Sequence, residues 1–175
     1  YLMVTRGEEV FEIPSQGIIQ PDNRTQLAAE VGGKVIEVSD HFEPGLQVQA
    51  GDVLLKIAPT DYEAAAAGAA SNLAAAESAL VSEEARAEQA LRDWRRLGKR
   101  SEPGPLVARE PQRKSALARG ESARAALAKA ETDLERTKIR APYDAVISQT
   151  TTELGSYLAP SAPVAEIYTV APFEV

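Results

Sequence analysis

A repeat separated by a long insert constrains this chain more than any other feature. Gly33-Lys34-Val35-Ile36-Glu37-Val38 leads to Gly45-Leu46-Gln47-Val48, then Gly51-Asp52-Val53-Leu54-Leu55-Lys56-Ile57. The same texture returns in Ala145-Val146-Ile147-Ser148-Gln149-Thr150, Gly155-Ser156-Tyr157-Leu158 and Pro163-Val164-Ala165-Glu166-Ile167. Gly45, Val48, Leu54 and Ile57 fall on Gly155, Leu158, Val164 and Ile167 at a constant offset of 110. Short β-like runs punctuated by glycine predict strands joined by turns, some needing positive φ. The repeated apolar positions are expected to face one small shared core.

The insert has a different period. From Ala66 the small or apolar positions run Ala69, Leu73, Ala76, Leu80, Glu83, Ala87, Ala90, Trp94 and Leu97, in alternating steps of three and four. That is a heptad rhythm, interrupted in character only at Glu83. Thr60-Asp61-Tyr62-Glu63 reads as a capping box with Thr60 as N-cap. Arg95 and Arg96 sit in the expected last turn, and Gly98 is the expected stop. A second helix is expected from Glu110, with Pro111 in its first turn. Its seam runs Ala116, Gly120, Ala123, Leu127, Ala130, Leu134 and Thr137. The link from Lys99 to Arg109 holds Pro103-Gly104-Pro105 and is too short to let the helices separate, so an antiparallel hairpin is expected. Charges such as Glu84, Glu88, Arg92, Arg119 and Arg124 occupy the remaining faces, so each helix can bury one narrow stripe. Alanine supplies much of that stripe, and only 5% of the chain is aromatic.

Two half-motifs in quasi-symmetric order resemble the lipoyl or biotinyl carrier fold, a flattened barrel of interlocked halves. Such a module, split by a helical hairpin and followed by more β structure, resembles the membrane fusion proteins. These are periplasmic adaptors, related to the HlyD type, of Gram-negative tripartite export systems. Val31-Gly32-Gly33-Lys34-Val35 and Leu134-Glu135-Arg136-Thr137-Lys138-Ile139-Arg140-Ala141-Pro142-Tyr143-Asp144 carry the likeness, and Asp144-Ala145 departs from the family's aspartate-glycine. The expected fold is therefore α+β. Residues 25–59 and 139–170 form the lipoyl-like barrel and residues 60–138 the hairpin. Residues 1–24 and 171–175 belong to an adjoining β-barrel.

The resemblance places function at the hairpin tip. Arg92-Asp93-Trp94-Arg95-Arg96-Leu97 and Pro105-Leu106-Val107-Ala108-Arg109 most resemble adaptors of resistance-nodulation-division (RND) pumps. Their tip carries an arginine, a leucine four later and a serine beyond the turn. Leu97 matches the leucine, while Asp93 and Ala108 stand at the other two places. The expected partner contacts are Arg92, Arg95, Arg96, Leu97, Gly98, Lys99, Arg100, Pro105, Leu106, Val107, Ala108 and Arg109. With Arg113, seven basic residues gather there, in a chain whose net charge is −7. The implied partners are an inner-membrane transporter of RND type, an outer-membrane channel of TolC type, and further copies of the chain, six in the assembled pump. The implied location is the periplasm, with an inner-membrane anchor in a segment this chain lacks. An adaptor for an ATP-binding-cassette exporter would share the architecture.

No enzymatic chemistry is expected. The acidic balance gives no basic footprint for nucleic acid. There are no cysteines, so thiolate metal sites and cysteine nucleophiles are excluded. The single histidine, His41, lies in a turn and makes a poor metal site alone. No glycine-rich phosphate loop or nucleophile elbow occurs, and no cofactor is expected. A carrier domain of a biotin or lipoate enzyme would need its lysine near Asp61, where the hairpin inserts; Lys56 is the nearest and reads as a solvated strand residue. One methionine and one histidine favour an exporter of organic compounds over a metal-handling adaptor.

Overall fold

The computed structural model describes residues 24–98 and 102–169. The expected strands within residues 1–23 and 171–175, and the tip residues Lys99 and Arg100, lie outside them.

The strands are β1 (Arg24–Ala28), β2 (Gly33–Val38), β3 (Gln47–Val48), β4 (Val53–Ile57), β5 (Lys138–Arg140), β6 (Ala145–Thr150), β7 (Tyr157–Leu158) and β8 (Pro163–Thr169). They form two antiparallel four-stranded sheets, ordered β1-β8-β6-β3 and β5-β4-β2-β7. The short strand of each half thus sits in the other half's sheet: β3 pairs with β6, and β7 with β2. Neither half has a complete sheet without its partner.

The registers obey the repeat. Val35 faces Ile57 as Ile147 faces Ile167, and Gly33 faces Leu158 as Ala145 faces Val48. The Gly45 amide donates to the Ile147 carbonyl at 2.8 Å, and the Gly155 amide to the Val35 carbonyl at 2.9 Å. The offset is 110 after these glycines but 112 before them, because the loop 39–45 is two residues longer than 151–155. Ile57, Ile167, Leu54 and Val164 are fully buried, with Val48 and Leu158 beside them. The expected equivalence of Ile57 and Ile167 in the core therefore holds.

Helix α1 spans Thr60–Arg96 and α2 spans Glu110–Glu135. At 1.5 Å per residue they are about 55 and 40 Å long. The seam positions from Ala66 to Trp94 and from Ala116 to Leu134 are the shielded ones, with Tyr62, Leu91 and Asp133 added. Leu80 is half-buried where Glu84 is exposed, as the seam requires. Only Ala87 and Ala116 are fully buried in the two helices, so a thin alanine stripe holds the hairpin. Leu97 leaves the seam and is 72% exposed.

The expected capping box is not formed. Pro59 is the N-cap, with φ −87° and ψ −11°, and no side chain caps the helix. Its carbonyl already accepts the Glu63 amide at 2.8 Å, so Thr60 is the first helical residue and its hydroxyl has no capping place. Asp61 and Glu63 still lie in the first turn, where they oppose the helix dipole. The other end is as expected: Gly98 takes φ +68° just past Leu97.

Candidate functional site

Hydrogen bonds and ion pairs seat the hairpin on the β module from both of its legs. On the α1 side, the Tyr62 hydroxyl donates to the Gly32 carbonyl at 2.7 Å. On the α2 side, Arg136 Nε lies 2.6 Å from Glu30 Oε2, and the buried Thr137 hydroxyl donates to the Leu134 carbonyl at 2.7 Å. The Ile57 amide donates to the Thr137 carbonyl at 2.8 Å, closing the two legs together. Glu135 accepts from Lys138 and Arg140, and these cations hold its carboxyl below the usual range.

The opposite end carries the residues singled out in the sequence. Arg92 pairs with Glu88 one turn below it, at 3.4 Å. Arg95 and Arg96 are exposed in the last turn of α1 and make no ion pair among the described residues. Leu97 and Leu106 stand 72% and 76% exposed. Gly98 and Pro105 are exposed, whereas Val107 and Ala108 are partly shielded. Asp93 and Arg113 are also exposed.

Arg109 differs from the other basic residues. Its guanidinium reaches Glu83 Oε2 from Nη2 at 2.6 Å and from Nε at 3.1 Å. Arg86 holds the other oxygen of Glu83, again at 2.6 Å. The hydrogen bond from Arg109 is the chief reason the Glu83 carboxyl lies below its usual range; burial at the seam opposes it, and Arg86 adds to the lowering. Arg109 thus has an internal partner, although the sequence groups it with the partner-facing tip. Glu83 was not among the expected site residues. The only sign of it in the sequence is a carboxylate on an otherwise apolar seam.

The residues weighed for chemistry fall apart. His41 is exposed, and no group of three or more His, Asp or Glu residues among the described ones could hold a metal ion. Asp52 accepts from the Gln49 amide at 2.9 Å, stabilising a turn. Lys56 pairs with Glu37 at 2.7 Å on an exposed strand face. Trp94 lies on the hairpin seam and Tyr62 packs against the β core. Asp144, at the departure from the family's aspartate-glycine, accepts the Ala50 amide at 2.8 Å across the module. Among the described residues no helix is long and apolar enough to cross a membrane.

Comparison with known proteins agrees with this architecture. Multidrug resistance protein MdtA of Yersinia pestis (strain Pestoides F) is 26% identical over 166 residues, which are 91% of this chain and 35% of MdtA. MdtA of Cronobacter turicensis is 28% identical over 149 residues, 82% of this chain and 34% of its own. The chain spans about a third of the length of these curated relatives. A MacA–MexA chimeric protein containing the Pseudomonas aeruginosa MexA α-hairpin domain superposes with a TM-score of 0.62 at 25% identity. That match covers 86% of this chain and 49% of the chimera. The model of the RND membrane fusion protein (MFP) barrel-sandwich hybrid domain matches residues 23–170. The chain belongs to the RND membrane fusion proteins, and residues 23–170 are their barrel-sandwich hybrid domain.

Proposed function

We propose that the chain is the bridging part of a periplasmic adaptor in a tripartite efflux system, acting by assembly and without catalysis. The hairpin tip docks an outer-membrane channel of TolC type, and the far side of the β module faces an inner-membrane transporter of RND type. Several copies, six in the working pump, stand side by side around the path of the exported compound. An anchor elsewhere in the protein holds the assembly at the inner membrane. One observation carries the reading: a hairpin about 55 Å long ends in two exposed leucines, Leu97 and Leu106, with the exposed Arg95 and Arg96, which make no ion pair among the described residues. Monomeric surfaces seldom place apolar and unpaired basic side chains together at the end of a projecting element unless a partner covers them. The names of the MdtA relatives support a drug or other organic compound as the exported class.

The test reverses the charge of the tip. Arg95→Glu, Arg96→Glu and Arg100→Glu together are expected to abolish drug resistance in cells lacking their own adaptor, with protein level unchanged on a blot. The exposed charges of Arg95 and Arg96 contribute little to stability, about 0–1 kcal/mol each, and the unchanged protein level excludes unfolding as the cause of the loss. Full complementation by the triple variant would remove the basic tip from docking and leave Leu97, Leu106 and the turn backbone as the contact.

A further inference from the structure

Residues 104–109 form one helical turn that stops just short of α2. Pro105 opens it, where a missing N–H costs nothing. The Val107 and Ala108 amides donate to the Gly104 carbonyl at 2.9 and 3.1 Å. The turn ends on Arg109, which adopts the left-handed conformation at φ 54° and ψ 28°. The Glu110 amide then reaches back to the Pro105 carbonyl at 3.0 Å, and the Arg109 amide to the Leu106 carbonyl at 3.3 Å. These paired bonds are those of a helix terminated by a left-handed residue, a place glycine usually fills. An arginine there is strained unless its surroundings hold it.

Two features hold it. Pro111 stands two residues on, and in a helix continuous from Pro105 to Glu135 it would clash with the carbonyl four residues earlier and leave that group unbonded. The chain therefore disfavours fusing the tip turn to α2. Glu83, from the seam of α1, takes the Arg109 side chain in two hydrogen bonds, with only 16% and 31% of the two side chains exposed. Arg86 of α1 shares Glu83, and Arg119 of α2 lines the same groove.

We propose that Glu83 and Arg109 form a latch that fixes the break between the tip turn and α2, and so fixes where Leu106 is presented. Glu83 is a positioning residue: it sits more than three turns below the end of α1 and acts on the tip only through Arg109. Pro111 prevents the fused helix, and the latch removes the remaining freedom of the turn. The importance of this for export rests on the docking role proposed above; the latch itself does not.

Amide hydrogen exchange of the whole chain tests it. In Glu83→Gln, amides 107–110 should exchange about tenfold faster. Arg109→Gly separates the latch from the backbone. Glycine accepts the left-handed conformation without strain, so a turn governed by strain alone would exchange more slowly, whereas loss of the latch makes it faster. The double variant should match Arg109→Gly alone, since Glu83 then has no side chain at 109 left to hold. Arg124→Gln breaks an ordinary exposed pair with Glu77 and should leave amides 107–110 unchanged. Unaltered exchange in Glu83→Gln, slower exchange in Arg109→Gly, or additive effects in the double variant would overturn the latch. In cells, Glu83→Gln should cut resistance several-fold at normal protein level. Faster exchange with full resistance would overturn its positioning role, while the reversal of Arg95, Arg96 and Arg100 tests docking separately.

Discussion

Ser161 sits at φ +67°, in the left-handed region, and its two-fold partner Gly51 sits at +89°. The two make equivalent bonds: the Ser161 amide donates to the Ala29 carbonyl at 2.7 Å and the Gly51 amide to the Ala141 carbonyl at 2.8 Å. One half of the module thus uses glycine for a turn that the other half builds with a side chain. Ser161→Gly should raise stability by about 0.5–1 kcal/mol, relief of strain exceeding the entropy glycine adds to the unfolded chain; an unchanged or lower urea midpoint would contradict this. Gly33 shows the opposite limit. At φ +151° a Cβ would lie 2.5 Å from Cγ2 of Ile57, which is fully buried and cannot retreat. Gly33→Ala should therefore cost about 2–4 kcal/mol, measured by the same unfolding curve. The glycine pair Gly45 and Gly155 was legible in the sequence because both halves keep glycine. The strain at Ser161 was not, since a serine says nothing of its φ. Nor was the equivalence of Phe42 and Thr152, buried at matching places in loops of different length.

At the scale of elements, the helices were legible where spacing alone decides them. Alternating steps of three and four give the seam, and the alanines that occupy it allow close approach whatever their neighbours are. The helix start was misread because Thr60-Asp61-Tyr62-Glu63 satisfies the capping pattern, yet Pro59 already has helical ψ and takes the N-cap place. The role of Glu83 was hidden for a related reason: its partner comes from the loop, whose path spacing does not reveal. Three carboxyls on the hairpin titrate below their usual range. Arg109 lowers Glu83, Lys129 chiefly lowers Asp133, and Lys138 chiefly lowers Glu135. A depressed carboxylate stabilises the fold fully above its unfolded value, 4.5 for Glu83, and the contribution is lost as pH falls through the lower folded value. The helical urea midpoint should therefore stay level above the unfolded value and drop as the pH falls below it. Glu83→Gln should start lower and fall less over that range, because the variant has no carboxyl to protonate. A parallel fall in both proteins would show that the Glu83 pairing does not contribute to acid sensitivity.

For the whole molecule, the two-fold axis relates the strands that the hairpin leaves to those that hold residues 24 and 169. The hairpin leaves beside the Lys56–Lys138 pairing of β4 and β5. The symmetry-related place is the Gln26–Glu166 pairing of β1 and β8. Residues 24 and 169 therefore lie at the two-fold equivalent of the hairpin's seat. The hydrophobic cores divide likewise. The buried cluster of the module draws on residues from 29 to 57 and from 139 to 167, and among the described residues Tyr62 is the one hairpin hydrophobic packed against it. Ala87 and Ala116, the buried residues of the two helices, belong to no part of that cluster. Removing residues 60–137 should therefore leave the β core intact. Only a short turn is needed to rejoin the chain, because the Ile57 amide already lies 2.8 Å from the Thr137 carbonyl where the two legs meet. The losses at the junction are Tyr62 packing and its bond to Gly32, the Arg136–Glu30 pair, buried Thr137 with its bond from Ile57, and the exposed Glu135 pairs, about 3–6 kcal/mol in all. The rejoined module should give a β-sheet circular dichroism spectrum and a single cooperative unfolding transition. A disordered spectrum would mean that the two interlocked halves need the hairpin to find each other. The excised hairpin should behave differently. Its thin alanine seam, cut from the bonds that join its legs to the module, should lose much of its helix signal at the same temperature.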